Sequence, residues 1–149
     1  MIVGDSGEAG ACRQYAKASG VSDEVVVYGE ADYGDVPKLM ACMDIGLSIL
    51  RQAERGNSEQ KVRQYLATGL CVVGTSGSND FLEGQGFARI VQTGEPREVV
   101  HAVRQFLEQS VEDLTVLAQE ARCYAESNLS ITARTEQRIQ IWNEAAQGI

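Results

Sequence analysis

The residues best suited to chemistry lie in one stretch, Arg51-Gln52-Ala53-Glu54-Arg55-Gly56-Asn57-Ser58-Glu59-Gln60-Lys61-Val62-Arg63. An apolar run, Ile45 to Leu50, precedes it, and a helical pattern from Ser58 to Thr68 follows. Ser58 is a good N-cap, because its hydroxyl accepts a hydrogen bond from a free amide of the first turn. Lys61 then stands at the third helical position, where a capping box would place Glu or Gln. A cation in the first turn opposes the helix dipole by about 0.3–1 kcal/mol. An anionic ligand would offset that, with backbone amides and the Lys61 ammonium both aimed at it. Charge counts agree, since Arg51, Arg55, Lys61 and Arg63 against Glu54 and Glu59 give a local balance of +2 in a chain of net charge -8. A solvated surface helix, with Glu54 and Glu59 paired to nearby bases, accounts for the same residues.

A second loop, Gly4-Asp5-Ser6-Gly7, follows the short apolar segment Ile2-Val3 and precedes a helix. Glycines there let backbone approach a ligand, and a helix N-terminus offers free amides. The glycines at 4, 7 and 10 lack the spacing of a dinucleotide fingerprint, and a tight strand-to-helix turn explains them as well. Metal chemistry finds no ligands at suitable spacing. Cys12, Cys42, Cys71 and Cys123 are scattered, no CxxC pair exists, and His101 is the sole histidine. All four cysteines sit in apolar or helical contexts, as buried, reduced thiols of a cytosolic protein would. His101, amid Val100, Ala102 and Val103, reads as structural. Trp142, at helical spacing from Ile139, reads as a packing anchor.

The elements that must hold these residues alternate. Ile2-Val3 starts as a strand, and Glu8 to Ser19 reads as a helix stopped by Gly20. Val25 to Tyr28 is a strand ended by Gly29, and Val36 to Met43 a helix with Pro37 in its first turn. Strand Ile45–Leu50 leads to helix Ser58–Thr68, which Gly69 ends, and Cys71-Val72-Val73 is a strand. A polar loop, Thr75 to Asp80, leads to a further strand, Ala88–Val91. After Glu95 only helical periodicity remains: Val99, Val100, Val103, Phe106 and Leu107, then Leu114, Leu117, Ala118, Ala121 and Tyr124, then Ile139, Trp142 and Ala145. Short apolar strands alternating with helices predict an α/β fold: a Rossmann-like open parallel sheet, buried by helices on both faces, with a helical C-terminal tail. Ligands of such sheets bind beyond the carboxyl ends of the strands, so the loops after Val3, Tyr28, Leu50 and Val73 are the candidates. No internal repeat, low-complexity segment or clear domain linker is visible, and residues 1–149 are expected to form a single domain.

Four segments resemble, in order and spacing, those of glycosyltransferase family 4 and its relatives. Ser58-x-x-Lys61-x-x-Gln64-Tyr65-Leu66-Ala67-Thr68-Gly69-Leu70-Cys71-Val72-Val73 is similar to that family's S-x-x-K-x-x-E-Y-x-A-x-G-x-P-V-V stretch. Val25 to Gly29 resembles its V-x-F-x-G strand, and Val36 to Leu47 its helix ending in A-D-I-x-L. Ile2-Val3-Gly4-Asp5 resembles its I-V-G-x-G turn, and the register holds to about Val91. The resemblance implies the C-terminal, donor-binding domain of a two-domain (GT-B) glycosyltransferase, retaining and metal-independent. It places Ser58 and Lys61 at the pyrophosphate and sugar, Gln64 at the ribose, Gly29 and Glu30 beside the base, and Gly4 and Asp5 along the cleft; Arg51, from the basic stretch, is counted among the donor-binding residues as well. No cofactor is implied beyond the nucleotide-diphosphate sugar donor, and helix dipole and basic side chains would stabilise the leaving diphosphate.

The chain also departs from the family. Gln64 stands for glutamate and can hydrogen-bond ribose without charge assistance. Gly56 occupies a position that often holds another glutamate, and Cys71 replaces proline. The family's first strand, its phosphate-binding arginine and lysine, and its N-terminal acceptor-binding domain are expected to be missing here. The family's final helix crosses back toward that domain, so Ile139 and Trp142 are expected to cover a sheet edge or a partner surface.

Composition narrows the partners. With 44% hydrophobic and 23% charged residues the chain is globular, not disordered. The net charge of -8 argues against nucleic acid or an anionic membrane surface as the main partner. No apolar run reaches the roughly 18 residues a membrane span needs, and the start reads as no signal peptide, so a cytoplasmic location is expected. Two functions compete. One is a sugar-nucleotide-binding domain that works with a separate acceptor-binding domain. The other is a non-catalytic association module that pairs with a second copy through an open sheet edge. The signatures of sugar-nucleotide epimerases are missing, and no acidic cluster marks a receiver-type phosphate binder.

Overall fold

The computed structural model describes residues 1–4, 7–50 and 59–147. The chain divides into two compact units, Met1–Met43 and Asp44–Ile149. In the first, β1 (Ile2–Val3) pairs in parallel with β2 (Val27–Gly29), with Ile2 beside Val27 and Val3 beside Gly29. Helix α1 (Ala9–Ala18) connects them, as the parallel pairing requires. The strand expected at Val25–Tyr28 is shifted toward Gly29, and Val26 is exposed. Helix α2 (Val36–Met40) has Pro37 in its first turn. It stops short of the expected Met43 because the chain tightens: Cys42 and Met43 donate their amides three residues back, to Leu39 and Met40.

The second unit holds a three-stranded parallel sheet of order β3 (Ile45–Ser48), β4 (Cys71–Thr75), β5 (Ala88–Val91). Ile45 to Ser48 pair with Cys71 to Gly74, and Val72 to Thr75 with Ala88 to Val91. Helix α3 (Glu59–Ala67) crosses from β3 to β4. It closes on Gly69, whose amide donates to Leu66 O while Leu70 N reaches back to Tyr65 O, the paired bonds of a Schellman stop. A single 3-10 turn (Asp80–Leu82) lies between β4 and β5. The tail is helical: α4 (Pro96–Leu107), α5 (Val111–Tyr124), a π-helical turn (Ala125–Leu129) and α6 (Ile131–Gln147). Ser110 caps α5 by accepting from Asp113 N at 3.0 Å.

The fold class is therefore α/β and Rossmann-like, with parallel strands flanked by helices and a helical tail. β4 is buried at all five positions, which requires cover on both faces. α3 and α5 pack against each other and on β4, and α4 packs on β4 and β5. The core is Val62, Leu66, Val72, Val73, Leu82 and Phe106, each contributing about 1.5–3 kcal/mol by burial. The expectation of strands buried on both faces holds for β4 alone. β3 and β5 flank it, and Leu47 on β3 is 47% exposed.

Other expectations are corrected. Cys42 and Cys123 are exposed rather than buried, Cys12 is half-buried, and only Cys71 is fully buried; all four are free. Cys42 and Cys123 ride the solvent-facing sides of their segments. Trp142 is no packing anchor, being 70% exposed, because α6 has its main contact with the preceding π turn rather than with the core. His101 is exposed on the outside of α4, its Nε2 3.2 Å from Gln105 Nε2. The run Thr75 to Asp80 is not simply a solvated loop: Thr75 ends β4, and Thr75, Ser78 and Asn79 are buried. No helix among the described residues is long and apolar enough to cross a membrane.

Candidate functional site

α3 takes the chain from the carboxyl end of β3 to the amino end of β4, so its first turn stands at the carboxyl end of the sheet. Lys61 is exposed in that turn, and Gln64 follows at i+3, half-buried, a spacing that puts both on one helix side. One turn further Tyr65 lies over Gly46 of β3, where a Cβ would strike its ring. The Tyr65 hydroxyl donates to Leu47 O at 3.5 Å, and burial pushes its pKa up. Thr68 donates to Gln64 O and Tyr65 O, both at 2.9 Å. The helix carrying Lys61 is thus fixed to β3 through Tyr65 and at its end through Thr68 and Gly69. Arg51 and Ser58 lie outside the described residues, as do Glu54, Arg55 and Gly56.

Below the place where the chain leaves β3 lies a buried polar group that sequence reading missed: Ser48, Thr75, Ser78 and Asn79, all under 9% exposed. Thr75 Oγ1 accepts from Leu50 N at 3.1 Å and donates to Ser48 O at 3.5 Å. Asn79 Nδ2 donates to Thr75 O at 2.9 Å and Ser48 O at 3.4 Å. Asn79 Oδ1 is buried and accepts no hydrogen bond. Two donated bonds contribute about 0.5–1.5 kcal/mol each, and a buried unmet acceptor costs about 1–3 kcal/mol, so the side chain adds almost nothing to net stability. The available signal was Gly74. A lone glycine within an apolar strand run marks close approach, and a Cβ there would lie 2.6 Å from Asn79 Cγ.

In the first unit the structure brings Gly4 and Gly29 together at the carboxyl ends of β1 and β2. Gly4 N donates to Gly29 O at 2.6 Å, and both have positive φ, +119° and +83°. Glu30 follows and is exposed, while Asp5 lies outside the described residues. Arg13 of α1, which sequence reading passed over, donates to Val27 O at 3.1 Å. The guanidinium is thus held at the start of β2 and lies 3.9 Å from where a Cβ on Gly29 would be.

A family model described as glycosyl transferases group 1 matches residues 1–109. That span includes every candidate residue above and ends just after α4. No curated protein matches the chain.

Proposed function

The chain belongs to the glycosyl transferases group 1 family, and on that premise we propose that its Asp44–Ile149 unit binds the diphosphate of a nucleotide-sugar donor. The observation that carries this reading is the exposed Lys61 in the first turn of α3, with Gln64 on the same side, in a chain of net charge -8. The exposed ammonium and the free amides of the first turn can both meet an incoming anion. In this reading Lys61, with Ser58 and Arg51, meets the pyrophosphate, and Gln64 takes a ribose hydroxyl. As the bond from anomeric carbon to diphosphate breaks, negative charge grows on the leaving oxygen. Lys61 and the first-turn amides stabilise it there without a metal. Transfer proceeds with retention in the cytoplasm, and the acceptor sits on a separate acceptor-binding domain. Calorimetry with UDP, GDP and their sugars tests the proposal. One of them binds, and Lys61→Ala weakens it by about tenfold or more, the loss of one charge-assisted contact of roughly 1.5–3 kcal/mol. Failure of every nucleotide to bind refutes it.

A second reading, an association module, is favoured by the exposed Ile131, Ile139, Ile141 and Trp142 of α6. Light scattering decides it: a mass independent of concentration at one chain rules out self-association.

A further inference from the structure

We propose that Asn79 is a positioning residue for the donor site. It fixes where the chain leaves β3, at the carboxyl end of the sheet where the first turn of α3 and its Lys61 also stand. Leu50 lies two residues beyond β3, and its amide is held by Thr75 Oγ1 at 3.1 Å. Thr75 is itself held, because Asn79 Nδ2 donates to its carbonyl at 2.9 Å. The same Nδ2 reaches across to Ser48 O, the last carbonyl of β3, at 3.4 Å. One carboxamide nitrogen therefore ties the final residue of β3 to the final residue of β4.

Two observations set this apart from ordinary packing. Gly74 forgoes a side chain to admit the carboxamide, whose Nδ2 lies 2.7 Å from where a Cβ would be. In addition, Oδ1 is left buried with no donor, a defect that an apolar residue of similar size would not carry. What only the amide supplies is a twin donor between two strand-end carbonyls, at the edge where ligands of parallel sheets bind. The inference rests on the donor-binding reading for what is positioned; the bracket between the strands does not depend on it.

The test compares the full chain with Asn79→Ala, Asn79→Ser and a remote control, Phe106→Leu, which loosens the core beneath α4. The readouts are Kd for UDP and GDP, hydrogen exchange of the Leu50 amide, and the thermal midpoint. In Asn79→Ala the Leu50 amide exchanges faster by about tenfold or more while the sheet interior stays protected. The Kd for whichever diphosphate binds rises by about tenfold or more. Asn79→Ser retains one donor and falls between Asn79→Ala and the wild type. Phe106→Leu lowers the midpoint but leaves Kd and the Leu50 amide as in the wild type. A wild-type Kd in Asn79→Ala, or a loss no greater than that of Phe106→Leu, overturns the proposal. If the wild type binds neither diphosphate, the donor-binding reading falls, and an unchanged Leu50 exchange rate then overturns the bracket as well.

Discussion

Replacing Gly94 by alanine measures how closely the loop after β5 presses on the ends of β3 and β4. Gly94 has φ +75°, and an added Cβ would lie 2.9 Å from Thr75 Cγ2 and 3.0 Å from Ile49 Cγ2. Gly84 provides the control, with φ +80° and nothing within 4 Å of the added atom. Both substitutions place a Cβ on left-handed backbone, at about 1–2 kcal/mol. Gly94→Ala alone adds overpacking, about 1–3 kcal/mol, because Thr75 is held by hydrogen bonds to Leu50, Ser48 and Asn79 and cannot step aside freely. The expected losses are therefore about 2–5 kcal/mol for Gly94→Ala and about 1–2 kcal/mol for Gly84→Ala. Urea unfolding with far-UV circular dichroism measures them, each kcal/mol moving the midpoint by roughly 0.3–1 M. The single tryptophan is a poor probe, since Trp142 is 70% exposed already. Equal midpoint shifts for the two variants would refute the close approach.

Thr75→Val keeps the shape but strands the Leu50 amide, and is expected to lose about 1–3 kcal/mol of stability by the same assay. A thiol-reactive dye should label Cys42 and Cys123 at once and Cys12 more slowly. Cys71, buried and with its thiol pushed up to about 11 by that burial, should react only on unfolding. Glu98 accepts from Thr93 N and Thr93 Oγ1, both at 2.9 Å, and these bonds hold its carboxyl below the usual value. A lowered folded-state pKa adds stability above the unfolded value, about 4.3, that is lost as pH falls through the folded one. The stability gap between wild type and Glu98→Gln should therefore be widest near neutrality and close in acid, as urea midpoints across pH will show.

Most of the fold was legible because two periodicities are plain in the chain. Ala88–Val91 was located to the residue, and Gly69 marked the end of α3 because a helix stop there needs left-handed backbone. Boundaries slipped where sequence gives no punctuation. α2 ends at Met40 by tightening into turns, with no glycine or proline to announce it. The standing of Lys61 at the third position of α3 was also legible, since it needs only helical spacing. The polar bracket was not. Ser76-Gly77-Ser78-Asn79-Asp80 has the composition of a solvated turn. What buries Asn79 is the space above Gly74 and the carbonyls of a strand 31 residues earlier in the chain, a long-range fact that local composition does not carry. Trp142 failed for the opposite reason. Its spacing from Ile139 is helical, but periodicity says only that a side chain faces one way, not that anything lies there.

The two-stranded sheet of the first unit bears on how the chain is made. A ribosome delivers Met1–Met43 before Asp44–Ile149, yet among the described residues of Met1–Met43 only Ala9, Ala16 and Met40 are buried apolar side chains, and a lone strand pair is marginal in water. The later-made Asp44–Ile149 unit holds the large core. Synthesis therefore runs opposite to the order in which parts can stand alone, where domains commonly fold from the N-terminus onward. Nascent chains halted at Met43 should be cut by protease throughout Met1–Met43, whereas chains extended through α6 should resist, beginning with the sheet of the second unit.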